Sequence, residues 1–119
     1  MAKDPRSKLP LTPPVFQVLL ALADGEKHGY GIIKEVEMRT DGAVRMSAGT
    51  LYGIAHRLRK DRLIAESGSR PDPSLDDERR RYYRLTQYGR LVATAEAQRL
   101  EELVDMARGK KLLPVGELG

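Results

Sequence analysis

The stretch from Ser47 to Ile64, SAGTLYGIAHRLRKDRLI, constrains this chain more than any other. Ser47 suits a helix N-cap, because its hydroxyl accepts a bond from a backbone N–H that has no intrahelical partner. Behind it Leu51, Ile54, Ala55 and Leu58 recur at helical spacing and define one narrow apolar face. The opposite face carries Gly49, Gly53, His56 and Lys60, flanked by Tyr52 and Arg57. Leu63–Ile64 follows at once and reads as the start of a strand. A helix with an oily back, a cationic front and two side-chain gaps fits the DNA major groove, where side chains reach base edges. The plainer reading is a solvated surface helix. The two glycines oppose it: each costs about 1 kcal/mol against Ala in a helix interior, and close approach to another molecule is one reason to keep them.

The flanking chain supplies context. Thr12-Pro13 reads as a helix start, a capping hydroxyl followed by a proline where its missing N–H does no harm. Val15, Phe16, Val18, Leu19, Leu20, Leu22 and Ala23 then make a helix apolar on most sides, stopped by Asp24-Gly25. His28-Gly29-Tyr30-Gly31 opens a second helix to about Thr40, with Ile32, Ile33 and Val36 inward and Asp41-Gly42 as its end. Val44-Arg45-Met46 is read as a brief strand. Two helices, a short turn and the Ser47 helix follow a helix-turn-helix order. Strands are expected at Leu63–Ser67 and Arg81–Leu85, joined by a projecting loop with an acidic step, Asp76-Asp77-Glu78, beside Arg79-Arg80-Arg81. The three arginines either grip phosphates or pair locally with the acidic step. Thr86 caps a last helix to about Ala107, with Leu91, Val92, Ala95, Leu100, Leu103, Val104 and Ala107 as its apolar stripe. Glu96, Arg99, Glu101, Glu102, Asp105 and Arg108 are placed outside. The preceding domain is too small to cover that stripe, whereas a second copy of the chain is not.

Composition narrows the function classes. A chain of 119 residues suits one small domain with an appended element, and its modest core makes oligomerisation a reasonable source of further burial. A net charge of +4 favours a polyanionic partner. Fourteen of the 21 cations are Arg, the better residue for bidentate phosphate and guanine contacts. Without Cys there is no disulfide framework and no thiolate metal site. The opening MAKDPRSKLPLTPP has no apolar signal-peptide region, and the apolar run Val18 to Ala23 is too short to span a bilayer. The expectation is a cytoplasmic protein with no membrane partner. His28 and His56, the only histidines, lie on different elements without metal-ligand spacing, and His28 reads as a solvated loop residue. Catalysis, metals and cofactors are therefore not expected.

HGYGI at 28–32, SAGTLYG at 47–53, RLRKDRLI at 57–64 and RRYYRLTQYGR at 80–90 together resemble the PadR-like transcriptional regulators, in register over roughly residues 12–108. The resemblance implies an α+β, mostly helical fold: a winged helix-turn-helix over 12–85 and a C-terminal dimerisation helix over 86–108. A flexible arm at 1–11 and a flexible tail at 109–119 complete the expected organisation. It further implies a homodimer on a pseudo-palindromic promoter operator, usually as a repressor, and in many members release by a small molecule. By motif, Tyr30 would face a phosphate, while Ser47, Thr50 and Tyr52 would lie on or beside double-stranded DNA. Gly53 stands where many relatives have Pro, which changes the detail of base reading. The single C-terminal helix marks a short form, in which an effector would sit at the dimer interface, without Trp to stack on. Phosphate contacts are assigned to Tyr30, Thr50, Tyr52 and Arg79, Arg80 and Arg81, and base reading to His56, Arg57 and Lys60. The alternative is a winged-helix module whose basic face binds protein or RNA.

Overall fold

A computed structural model of the chain describes residues 3–69 and 81–114. Of the loop expected over 68–80, residues 70–80, with Arg79 and Arg80 and the acidic step, lie outside the described residues, as do the last residues of the expected tail.

The first long helix, α1 (Pro13–Leu22), starts as read: Thr12 Oγ1 accepts from the Val15 N–H at 3.4 Å. Its Val18, Leu19, Ala21 and Leu22 are buried at the centre of the core. A two-residue strand, β1 (Lys27–His28), precedes α2 (Gly29–Arg39). His28 is the N-cap of α2, its Nδ1 accepting from the Gly31 N–H at 2.9 Å. Its role is thus structural, where the sequence reading expects a solvated loop histidine.

The turn that follows is a hydrogen-bonded helix stop. Gly42 donates to the Glu37 carbonyl at 2.8 Å and Asp41 to that of Met38 at 3.2 Å, with Asp41 in the left-handed region at φ 54°. This is the Schellman arrangement, which satisfies the last carbonyls of a helix. Residues 44–46 form no strand, correcting the sequence reading: Thr40 Oγ1 takes the Val44 N–H at 3.0 Å and Met46 is buried, so the segment is an irregular link. The next helix, α3 (Ala48–Lys60), is capped by Ser47 and ends in a second Schellman turn, Leu63 donating to the Leu58 carbonyl at 2.9 Å.

That turn delivers the chain directly into β2 (Ile64–Ser69), which pairs antiparallel with β3 (Arg81–Leu85). β1 joins the other edge, giving the order β1-β3-β2, with Lys27 opposite Tyr83 and His28 opposite Tyr82. The last helix, α4 (Gln87–Gly109), is locked to the α3–β2 junction by Thr86. The Thr86 hydroxyl donates at 2.6 Å to the Arg62 carbonyl and accepts from the Gly89 N–H at 2.9 Å.

Three expectations along α4 need correction. Val92 is fully buried in the core of its own chain, not on a free stripe. Glu96, expected outside, is 1% exposed. It accepts from the Leu11 N–H at 2.8 Å and from Arg99 Nη2 at 3.1 Å. The described part of the expected loose arm contains a 3-10 turn, Pro5–Lys8, packed on α4, with Lys8 Nζ 3.8 Å from Asp61 at the end of α3. The physical reasons lie in packing: α4 lies against α1 and β3, which draws Val92 into the core, while the arm lies along α4 and Glu96 satisfies its Leu11 N–H. Beyond Glu96 no described residue of α4 is buried.

Candidate nucleic-acid interface

The geometry of α3 starts at its cap. Ser47 Oγ accepts from the Thr50 N–H at 3.1 Å and donates to Thr50 Oγ1 at 3.0 Å, so the two hydroxyls form one rigid exposed pair at the helix start. Leu51, Ala55 and Leu58 are at most 3% exposed, which fixes the rotation of the helix. Gly49, Gly53, His56, Arg57 and Lys60 are consequently all exposed. A Cβ at Gly53 would meet nothing within 4 Å, and one at Gly49 would meet only Ser47 Oγ at 3.9 Å. The packing of the described residues therefore needs neither glycine.

Gly29 is different. A Cβ there would stand 2.7 Å from the Tyr52 ring, so the start of α2 presses directly on α3. Tyr52 is accordingly half-buried at the α2–α3 contact and is not part of the open front. Tyr30, the next residue of α2 after Gly29, is 42% exposed. Lys34 Nζ lies 5.3 Å from the centroid of its ring. Tyr30 also stacks on His28, which meets Tyr82 of β3 edge-on with centroids 5.4 Å apart. This aromatic chain ties the first turn of α2 to the sheet.

His56 and Lys60 line one side of an open groove of about 660 Å³ between α3 and β2. Arg59 and Arg62, which the sequence reading leaves without a role, line it with them, and Ile64 and Glu66 form part of the other side. Arg57 is exposed but does not line this groove. Arg81 is exposed at the start of β3 and pairs with Glu66 at 3.5 Å. Ser47, Thr50, His56, Arg57 and Lys60 thus share α3; Tyr30 and Tyr52 flank its first turn; Arg81 reaches the same side through Glu66. Arg59 and Arg62 escape sequence reasoning because helix periodicity gives only their angle, while β2 makes the opposing wall.

Of the C-terminal stripe, Leu91 is 51% exposed and Leu103 48%, with Leu100 and Val104 also exposed and Ala95 and Ala107 half-buried. Met106, absent from the expected stripe, is exposed as well. The Arg99 guanidinium holds the Glu96 carboxyl below the ordinary range against the opposing cost of burial, and the Leu11 N–H adds to that. Among the described residues no group of three or more His, Asp or Glu side chains could hold a metal ion, and no helix is long and apolar enough to cross a membrane.

Residues 18–95 match a family model described as the transcriptional regulator PadR-like family. The transcriptional regulator Rv3488 of Mycobacterium tuberculosis is 36% identical over 88 residues, covering 74% of this chain and 76% of that protein. A PadR family transcriptional regulator from Eggerthella lenta aligns with a TM-score of 0.63 at 28% identity, over 93% of this chain and 87% of its own. The structure of a transcriptional regulator from Clostridium thermocellum has a TM-score of 0.64 at 23% identity, over 84% of this chain and 97% of that one.

Proposed function

The chain belongs to the PadR-like family of transcriptional regulators, and from that premise we propose that it represses promoters in the cytoplasm by binding a pseudo-palindromic operator as a homodimer. Its work is binding, not catalysis. One observation carries the reading: α3 presents His56, Arg57 and Lys60 beside two exposed glycines, Gly49 and Gly53, with open space at Gly53 among the described residues. A backbone with side-chain gaps approaches a partner closely, and the neighbouring cations supply hydrogen-bond donors for base edges. Tyr30, Ser47 and Thr50 hold the phosphate strand at the start of α3, with the half-exposed Tyr52 flanking them and Arg79, Arg80 and Arg81 gripping it as well. His56 and Arg57 read bases. Lys60, which lines the α3–β2 groove, divides its charge between base and backbone.

What supports dimerisation is the run of exposed apolar residues along α4, Leu100, Leu103 and Val104. Two-fold symmetry then sets half-sites about 34 Å apart, one turn of DNA. An apolar small molecule entering between the paired helices would change the separation of the two recognition helices and release the operator, a rigid-body switch.

Fluorescence anisotropy with promoter DNA from beside the protein's own gene, and random duplex as competitor, tests the reading. Affinity is expected to fall with salt at a log–log slope of about −0.9 per phosphate neutralised. A chain that binds neither duplex but captures RNA or a protein would overturn it.

A further inference from the structure

Glu66 on β2 is held by guanidiniums from two other elements. Arg59 Nη2 of α3 lies 3.3 Å from its Oε2, and Arg81 Nε of β3 lies 3.5 Å from its Oε1. The Glu66 side chain is 26% exposed, sheltered between two arginines that are more open to solvent. It also stands in the wall of the α3–β2 groove, where among the described lining residues Arg59, Lys60 and Arg62 bring three cations to one acid. Two oxygens, each against a guanidinium, are what a phosphodiester offers through its non-bridging oxygens.

We propose that this groove is a seat for a DNA backbone phosphate and that Glu66 occupies its place in the free protein, holding Arg59 and Arg81. The proposal rests on the DNA-binding reading above and adds a regulator of its strength. Half-exposed ion pairs are weak and screened, whereas a duplex presents a dense row of phosphates. The duplex therefore draws Arg59 and Arg81 away, and Glu66 is left beside a phosphate that it repels. That repulsion is independent of base sequence. It weakens binding to any duplex, and so leaves base contacts to decide where the protein stays.

The test uses the full chain, a duplex of its own promoter and a random duplex of equal length. Glu66→Gln keeps the shape and removes the charge. It is expected to bind both duplexes about fivefold tighter, with a salt slope steeper by about 0.9. Arg59→Ala should cost more affinity in the Glu66→Gln background than in the wild type, because only there is Arg59 already released. Glu66→Asp keeps the charge but is too short to span both arginines, and should also tighten binding; it decides the matter if the Gln variant does not fold. Unchanged or weaker binding by these variants, with thermal melts intact, overturns the proposal and leaves Glu66 as a tie between β2 and α3. Equal costs of Arg59→Ala in both backgrounds overturn it too, reducing the effect to net charge. Failure of the wild type on both duplexes removes the DNA-binding premise itself, a distinct result.

Discussion

Gly53 and Gly89 look alike in the sequence, and their surroundings give them opposite meanings. At Gly89 a Cβ would stand 1.9 Å from the Leu63 carbonyl oxygen, a backbone atom that cannot turn aside. Gly89→Ala must push α4 off the α3–β2 junction and strain the bond from Thr86 to Arg62. It is expected to lower stability by about 3 kcal/mol in urea unfolding. At Gly53 the added methyl meets nothing, so Gly53→Ala should stabilise the free protein by about 1 kcal/mol through helix propensity alone. If DNA approaches this gap, the same substitution weakens operator binding by about tenfold, or 1.4 kcal/mol. A gain in stability with unchanged affinity would separate Gly53 from the interface.

At the scale of elements, the N-terminal turn and α4 behave as one unit with Glu96 as the fastening. Its carboxyl joins the Leu11 N–H to the Arg99 guanidinium while nearly out of water. Because the folded protein holds this group below the ordinary carboxylate value, its contribution is present above that value and is lost as pH falls through the folded one. The unfolded carboxyl titrates near about pH 4.3, so the loss belongs to the acid side of that point. Glu96→Gln should therefore be less stable than the wild type near neutrality, by about 1–3 kcal/mol for weakening a buried charged hydrogen bond. The difference should shrink in denaturation curves taken towards about pH 3. A gap that stays constant across that range would mean the carboxylate charge is not what holds the arm.

The molecule measures 54 × 38 × 25 Å, and its elongation fits a distal half of α4 in which no described residue is buried. Val92 and Glu96 anchor the near half of the helix, while Leu100, Leu103 and Val104 stand open on the far half. Leu103→Glu places a charge in the middle of that open face without touching the core. If α4 is the dimer interface proposed above, light scattering should show the wild type as a dimer and this variant as a monomer, with an unchanged circular dichroism spectrum. Operator affinity should then fall towards that of a single half-site. A variant that stays dimeric would move the interface elsewhere.

The order of the four α-helices and the β2–β3 pair, the caps at Thr12, Ser47 and Thr86, and the face that α3 turns to solvent were legible in the chain, because each depends on residues a few positions apart, whereas the short strand β1 was not, since it exists only by pairing with β3. Short-range periodicity and capping chemistry carry that information without any knowledge of neighbours. What only the folded chain decided concerns residues far apart in sequence. Leu11 meets Glu96, so an acid placed outside by helical spacing turns inward. Arg59 and Arg81 meet at Glu66, and Leu63 presses on the site of Gly89. Periodicity gives the angle of a side chain around its own axis, and only packing gives what stands opposite it.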